Sequence, residues 1–289
     1  MRGGSMHPGG LFYTPRTIRQ EIDRIFGVGR DRLEQQSLWR VAGGYVHPFK
    51  DPTKVFRTLA ELRSWSERLD RAAEELFSTA DVVIVTLGLI EGWWDPKTGN
   101  HFRQIPHPVP HAAGVGEFRR LTVAEIVEDL TKIRARLREH GGAELILTVS
   151  PVPLLATFTP SDVRVANTES KARLRAAVSE FIDAFSDVHY FHSYEIVETS
   201  ERRSDFMLED GRHVVPRAVD YIVEQFFRAF GTADVRIPTV DASFMAPIAK
   251  RAAPPTFRES RIRRGIRALR RRIRALRPAW PSGAGPRVP

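Results

Sequence analysis

Two residues late in the chain have the types and the spacing of a general-base pair. Asp210 and His213 are separated by Gly-Arg and stand shortly before Pro216, which is placed to begin a helix. On a tight turn the two side chains converge, so that the carboxylate accepts the imidazole N–H and fixes its tautomer. His213 is therefore a candidate general base, and Asp210 is its candidate orienting acid. The same residues also suit a plain turn, with Asp210 as the turn former and His213 at the surface.

Three short apolar segments predict the sheet that would position this pair. Glu144–Pro153 contains the run Leu-Ile-Leu-Thr-Val between glycines and prolines, which is typical of a strand buried on both faces. Asp81–Leu87 and Val188–Phe191 repeat the pattern, and predicted helices alternate with all three segments. Strands that alternate with helices form a parallel sheet, and such sheets bind ligands beyond the carboxyl ends of their strands. The sequence thus predicts an α/β fold with its site at that edge.

Capping patterns set the expected helix boundaries. Thr14-Pro15 and Asp51-Pro52 each pair an N-cap residue with a proline at the first helical position, and Thr122 with Glu125 forms a capping box. The helices are expected at about 15–26, 52–77, 122–140 and 168–185, and from Pro216 onward.

Two regions are expected to lack regular structure. Residues 31–50 are expected to be irregular. From Glu91 to about Arg120 we expect a long loop, whose tryptophans favour a lid or a binding loop.

Further residues at the predicted carboxyl edge are candidates for substrate binding, namely Gly88, Glu91, Trp93, Ser150 and Asn167. Glu91 and Trp93 either line a pocket or anchor the loop that contains them. Ser150 either acts as a nucleophile or shapes the proline-rich loop, and the second role suits it better. Asn167 and Lys171 are candidates to face the site, and Asn167 suits a plain helix N-cap equally well.

No cofactor and no metal is expected. His101, His107 and His111 invite a zinc site, but prolines separate them and no acid stands at ligand spacing. No Gly-x-Gly-x-x-Gly or P-loop pattern follows a predicted strand, which argues against a nucleotide cofactor. The sequence has no cysteine, so disulfides, thiolate metal sites and a cysteine nucleophile are excluded.

Several motifs, taken in order, resemble the GSCFA family, which is regarded as similar to the SGNH/GDSL hydrolases. The Asp-x-x-His pattern before the last domain helix resembles those hydrolases. The resemblance implies a three-layer α/β/α, flavodoxin-like parallel sheet, with His213 as the base, Asp210 as its orienter and a serine as the nucleophile. It extends over about Leu11 to Phe230 and rests on the segments Thr86–Asp95, Thr148–Thr157, Asn167–Arg175 and Tyr190–Glu195.

The chain departs from the family pattern at two parts of the implied site. The Gly-Ser-Cys-Phe-Ala segment, whose serine would be the nucleophile, is absent, and Leu11–Pro15 resembles sequence downstream of it. Ser5 is a poor substitute because only Met-Arg-Gly-Gly precedes it. We expect the first strand and its nucleophile to be missing, through a misplaced start rather than real loss, since losing a strand would leave unpaired sheet groups. Gly88 is followed by Leu-Ile-Glu, so the oxyanion-hole asparagine of SGNH enzymes is not matched.

The positive charge is concentrated in the C-terminal tail. Lys250–Pro289 holds 13 Lys and Arg against one acid, a local net charge of +12, whereas the whole chain carries +9 and the remainder therefore −3. This distribution argues against a nucleic-acid enzyme with a basic cleft, so no specific nucleic acid is expected. Residues 257–277 predict a basic amphipathic helix that binds an anionic membrane surface or an acidic partner; the alternative is a solvated tail.

The sequence therefore predicts a flexible N-terminus (1–10), an SGNH-like domain (11–231), a linker (232–256) and a basic tail (257–289). No apolar run is long enough to span a bilayer and no secretory signal is recognisable, which favours a cytoplasmic location, peripheral to the membrane if the tail binds it. The expected function is ester hydrolysis or acyl transfer on a small-molecule or glycan ester. The alternative is a non-catalytic binding or scaffold protein with a degenerate hydrolase pocket.

Overall fold

The computed structural model describes residues 12–29, 38–103, 116–199 and 203–231. In chain order the elements of these residues are α1 (Pro15–Ile25), β1 (Trp39–Val41), β2 (Gly44–His47), β3 (Asp51–Phe56), α2 (Leu59–Thr79), β4 (Val82–Leu87), β5 (Glu91–Asp95), β6 (Asn100–Phe102), β7 (Glu117–Arg120), α3 (Val123–His140), β8 (Glu144–Val149), α4 (Val163–Ile182), β9 (Val188–Phe191), α5 (Ser193–Glu198), α6 (Arg203–Phe206) and α7 (Pro216–Phe230).

The central sheet is parallel and consists of the three predicted strands. Its order is β4-β8-β9, with Val82 opposite Glu144 and Leu145 opposite Val188. The middle strand, β8, is buried from Leu145 to Val149, as predicted for a strand with both faces covered. The α/β class with a parallel sheet is thus confirmed, whereas the finer three-layer, flavodoxin-like arrangement stays a prediction.

The main apolar core lies between one face of this sheet and helices α1, α3 and α4. Because side chains alternate along a strand, every second residue of β4 and β8 enters this core. The opposite face is covered near β9 by helix α7, since the rings of Phe191 and Phe226 are 5.2 Å apart. On β4 the same face is open, with Val82 45% and Ile84 52% exposed. The core includes Val83, Val85, Leu87, Leu145, Leu147 and Val149 of the sheet and Ile22, Ile126, Leu130, Ile133, Leu174 and Phe181 of the helices.

Two helices begin at the caps that the sequence predicts. Thr14 Oγ1 accepts the Thr17 N–H at 3.1 Å at the start of α1. Thr122 Oγ1 accepts the Glu125 N–H at 3.2 Å, and the Glu125 carboxylate accepts the Thr122 N–H at 2.8 Å. These bonds satisfy N–H groups that have no partner within the helix. Helix α7 also begins at the predicted Pro216.

The predicted helix start at Asp51-Pro52 is wrong. Asp51–Phe56 is strand β3, which pairs with β2, and helix α2 begins only after Thr58. Thr58 and Glu61 form a full capping box there, with reciprocal bonds between side chains and backbone. A single Asp-Pro start signal satisfies fewer N–H groups than this box, so the later start is favoured.

The region predicted as irregular between 31 and 50 contains a β-hairpin. Strands β1 and β2 pair antiparallel, and Gly43 in the turn has a φ of +90°. A Cβ on Gly44 would lie 1.9 Å from the carbonyl oxygen of Phe56. Glycine at this position therefore lets β2 pack against β3, a constraint that was not visible as a strand pattern in the sequence. Residues 30–37 lie outside the described part of the chain.

The predicted long loop from Glu91 to Arg120 is largely a second, antiparallel sheet. Its order is β6-β5-β7, and Trp93 stands opposite Phe102 on one side and Phe118 on the other. Aromatic cross-strand pairs stabilise such ladders, which explains why an aromatic-rich segment pairs here. The remainder of the predicted loop, 104–115, lies outside the described residues.

Helix α4 begins and ends earlier than predicted. It runs from Val163 to Ile182, and Asp162 is its N-cap, with Oδ1 accepting the Arg164 N–H at 2.8 Å. Asn167 therefore lies inside the helix, and its interpretation as an N-cap is wrong.

Three of the predicted segments lie outside the described residues: the N-terminus 1–10, the linker 232–256 and the basic tail 257–289, which includes the amphipathic segment 257–277. Among the helices that the structure does describe, none has the length and apolar character needed to cross a membrane.

Candidate functional site

The Asp210–His213 pair lies on a tight turn just ahead of helix α7. Gly211 has a φ of +65°, a conformation that glycine adopts without strain. Its N–H donates to the carbonyl of Leu208 at 2.9 Å, and the Leu208 N–H donates to the carbonyl of His213 at 2.7 Å. These two backbone bonds close the turn and fix the relative position of the acid and the histidine.

The turn brings the two side chains into direct contact. Asp210 Oδ2 lies 2.5 Å from His213 Nδ1, and Oδ1 accepts the backbone N–H groups of Arg212 and His213 at 2.9 and 3.0 Å. A carboxylate at Nδ1 holds the ring proton on that nitrogen and leaves Nε2 as a proton acceptor. The side chains of His213 and Asp210 are 26% and 19% exposed, so the pair is partly accessible.

The surroundings keep Asp210 ionised. Burial alone would raise the pKa of this carboxyl, but the backbone N–H and imidazole of His213, together with the Arg212 N–H, outweigh it and lower the pKa to about 2. The carboxylate is thus charged at any physiological pH, as an orienting acid requires.

Gly88 follows strand β4, and its backbone is held on both sides. The N–H groups of Gly88 and Leu89 both donate to the carbonyl of Tyr13, at 2.9 and 3.0 Å. The Gly88 carbonyl accepts from Lys171 Nζ at 2.7 Å. A Cβ at Gly88 would lie 3.0 Å from the Tyr13 oxygen. The two amides that follow β4 therefore donate to Tyr13, a residue that sequence reasoning missed because its backbone, not its side chain, makes the contact.

Glu91 and Trp93 anchor a neighbouring loop. The Glu91 carboxylate, 8% exposed, accepts the Thr157 hydroxyl at 2.6 Å and the Phe158 N–H at 3.3 Å. The Trp93 ring packs edge-on against Phe158, with centroids 5.2 Å apart, and against Phe118 at 5.8 Å. These contacts match the loop-anchoring alternative that the sequence left open for both residues.

Ser150 shapes the loop after β8. Its N–H donates to the carbonyl of Leu87 at 2.8 Å, which extends the pairing of β8 with β4 by one residue. Its Oγ accepts the Val152 N–H at 3.2 Å. Both contacts fit the loop-shaping role rather than that of a nucleophile.

One face of helix α4 binds two of these loops. Asn167 Oδ1 accepts the Leu154 N–H at 3.1 Å, and Ser170 Oγ accepts the Ile90 N–H at 3.0 Å. Lys171 Nζ, besides its bond to Gly88, donates to the carbonyl of Val152 at 2.9 Å. Residues at these positions lie three and four apart and therefore share one helix face. Ser170 is a residue that the sequence reasoning missed, although this spacing could have indicated it.

Lys171 is buried, with only 2% of its surface exposed. Burial lowers the pKa of its ammonium group to about 8, although the charge of Glu198 acts in the opposite direction. A buried ammonium group needs acceptors for its protons, and the carbonyls of the two loops provide them.

The Asp–His pair and the loops at the sheet edge form two separate hydrogen-bonded groups. Among the described residues, no hydrogen bond connects Asp210 or His213 with Gly88, Glu91, Trp93, Ser150 or Asn167.

Among the described residues, the structure does not bring together the three histidines that were candidates for a zinc site. His101 lies buried on β6, and burial lowers its pKa to about 3, whereas His107 and His111 lie outside the described residues. No group of three or more His, Asp or Glu side chains suited to a metal ion occurs in the described ranges.

These features define a class: an α/β protein with a parallel sheet and an Asp–His pair on the turn before its last described helix. The sequence model of the GSCFA family matches residues 3–226. The chain therefore belongs to the GSCFA family, which confirms the resemblance carried by its motifs. No curated protein matches the chain at a significant level, and neither does any solved structure.

Proposed function

We propose that the chain is an SGNH-like ester hydrolase or acyltransferase domain in which His213 is the general base and Asp210 its orienter. The observation that carries the proposal is the 2.5 Å contact between Asp210 Oδ2 and His213 Nδ1 on a turn that also fixes the carboxylate by two backbone N–H groups. An acid that holds the proton on Nδ1 leaves Nε2 free to take a proton from a nucleophile.

In the proposed reaction, Nε2 of His213 takes the proton of a serine hydroxyl while the serine oxygen attacks the ester carbonyl. The protonated imidazole then gives that proton to the departing alkoxide, which leaves an acyl-enzyme. Water completes a hydrolysis, and the hydroxyl group of an acceptor completes a transfer. Asp210 stays ionised throughout and stabilises the imidazolium that forms.

The serine is proposed to come from a segment outside this sequence, the Gly-Ser-Cys-Phe-Ala segment that the family resemblance implies. Ser150 is engaged in shaping its own loop. Strand β4 stands at the end of the strand order β4-β8-β9, and among the described residues no strand pairs with its outer edge, which is consistent with a further strand there.

The substrate class that we propose is an O-acylated glycan, on the basis of fold-level kinship. The test is an acetate-release assay with the natively expressed protein on acetylated oligosaccharides and on 4-nitrophenyl acetate. Release from either compound that exceeds the spontaneous rate is the expected result. If neither is cleaved while the oligosaccharide binds in a calorimetric titration, the hydrolase proposal is refuted.

A second candidate is a non-catalytic binding protein, and one observation favours it. The N–H groups of Gly88 and Leu89 both donate to the Tyr13 carbonyl, so they are engaged rather than aimed at an oxyanion. In this proposal the loops at the sheet edge hold a sugar or a peptide. The basic segment 257–277 would dock the domain on an anionic membrane or an acidic partner in the cytoplasm. Binding without turnover in the assay above would support it.

A further inference from the structure

Three side chains on helix α4 bind the loop after β4, the loop after β8, or both. Ser170 binds only the first of these loops, through the N–H of Ile90, and Asn167 binds only the second, through the N–H of Leu154. Lys171 is different, because its ammonium group bonds to Gly88 in the first loop and to Val152 in the second. One buried group, Lys171, therefore bonds to both loops.

We propose that Lys171 is the positioning residue of the site, which sets the spacing between the loop 88–90 and the loop 152–154 by holding a carbonyl of each. The proposal rests on the proposed function in one respect, namely that these loops border the substrate. Lys171 acts through the loops and has no assigned contact with a substrate.

The geometry distinguishes Lys171 from an ordinary buried lysine. Lys50 is equally buried, with 0% exposed, but its ammonium group bonds to Ser66 and Asp70, both on helix α2. Lys50 therefore holds a single helix, whereas Lys171 bonds to two loops that come from different strands. An ammonium group offers three donors at fixed angles, so two carbonyls bound to it are also fixed relative to each other.

The chemistry of the Lys171 bonds explains why no neutral side chain would replace it. Hydrogen bonds from a charged donor are stronger than neutral ones, so each Lys171 bond is expected to hold its loop more firmly than the bonds of Ser170 and Asn167. A displacement of about 1 Å in the groups that position a substrate can lower turnover by about a hundredfold. Replacing a group that fixes both loops is therefore expected to lower turnover by more than the loss of fold stability alone would explain.

The test compares Lys171→Met with Lys50→Met in the full chain. Each substitution keeps an apolar stem and removes one buried ammonium group. Hydrogen exchange is followed at the amides of Ile90 and Leu154, relative to the amides of the central strand β8, so that a general loss of stability cancels. For Lys171→Met we expect both loop amides to exchange at least about tenfold faster relative to β8, the size expected from losing a charged hydrogen bond. For Lys50→Met we expect no relative change.

Two further variants each remove one hydrogen bond between helix α4 and a single loop. They sharpen the prediction and replace Lys171→Met as the test if that variant fails to fold. Ser170→Ala is expected to accelerate exchange at Ile90 alone, and Asn167→Ala at Leu154 alone, because Lys171 still holds the other loop in each case. If either variant accelerates both amides equally although Lys171 is intact, Lys171 does not hold the other loop in place and the proposal is overturned. Wild-type exchange in Lys171→Met, or equal relative changes in both lysine variants, overturns it as well.

Turnover distinguishes a positioning role of Lys171 from a purely structural one, because a purely structural lysine would leave the kcat of the folded protein unchanged. On 4-nitrophenyl acetate, Lys171→Met is expected to lower kcat by about 10–100-fold with a smaller change in KM, while Lys50→Met leaves both constants of the folded protein unchanged. An equal effect of the two variants on kcat contradicts the positioning role. If the wild type cleaves no ester, the hydrogen exchange still decides the role of Lys171, and only the proposed function fails.

Discussion

Replacing His213 with alanine is expected to lower kcat for ester cleavage by the natively expressed protein by about 10²–10⁴-fold, the usual contribution of a general base. The Asp210 carboxylate would then have no imidazole to orient, and the nucleophile would lose its proton acceptor. The fold should be retained, because the turn is closed by backbone bonds between Leu208, Gly211 and residue 213 that do not need the imidazole. The measurement is the steady-state rate on 4-nitrophenyl acetate, together with the thermal unfolding midpoint.

Two companion variants complete this experiment. Asp210→Asn should lower kcat as well, because an amide can donate to Nδ1 and so favour the wrong tautomer. His189→Ala is the matched control, since His189 also pairs with a carboxylate, Glu144 at 3.3 Å, but on strand β9 of the sheet. It should retain wild-type turnover. If His213→Ala retains wild-type turnover, the assignment of the base is wrong.

Replacing Asp70 with alanine is expected to lower the free energy of unfolding by about 3–5 kcal/mol, the cost of removing one partner of a buried ion pair. Asp70 is 2% exposed and pairs with Lys50 and with Arg24, which are also buried. Arg24 keeps its bond to Glu21 in the variant. The ammonium group of Lys50 would keep its hydrogen bonds to the two oxygens of Ser66 but lose its carboxylate partner, which leaves a buried charge poorly compensated.

The measurement is urea unfolding, with Glu67→Ala as the control on the same helix. Glu67 pairs with Arg71 at 3.9 Å, and both side chains are more than half exposed, so its loss should change stability by less than about 1 kcal/mol. Similar losses in the two variants would show that the buried cluster contributes no more than a surface ion pair.

The parts of the fold that the sequence predicted correctly depend on local patterns. The apolar run of β8 and the capping box at Thr122 are complete within a few residues, and each was found where it was expected. The Asp–His turn is also local, since Gly211 between the pair permits the positive φ that closes it. Such features can be predicted because the partners are close in sequence.

The parts that were wrong depend on partners outside the segment from which each prediction was made. Strand β3 forms because β2 pairs with it, and Gly44 matters because it meets the carbonyl of Phe56. The role of Lys171 depends on Gly88, which is 83 residues away in the chain. Lysine is ordinarily found at the surface, so hydropathy alone predicts the opposite of its burial.

The most direct test of the proposed function is covalent labelling of the natively expressed protein with a fluorophosphonate, followed by peptide mapping of the labelled residue. Fluorophosphonates react with serines that an adjacent base activates. The proposal predicts one labelled serine, in a segment that precedes this sequence, and loss of labelling in His213→Ala but not in His189→Ala. Labelling that is unchanged in His213→Ala, a labelled serine within these 289 residues, or no labelling at all would contradict it.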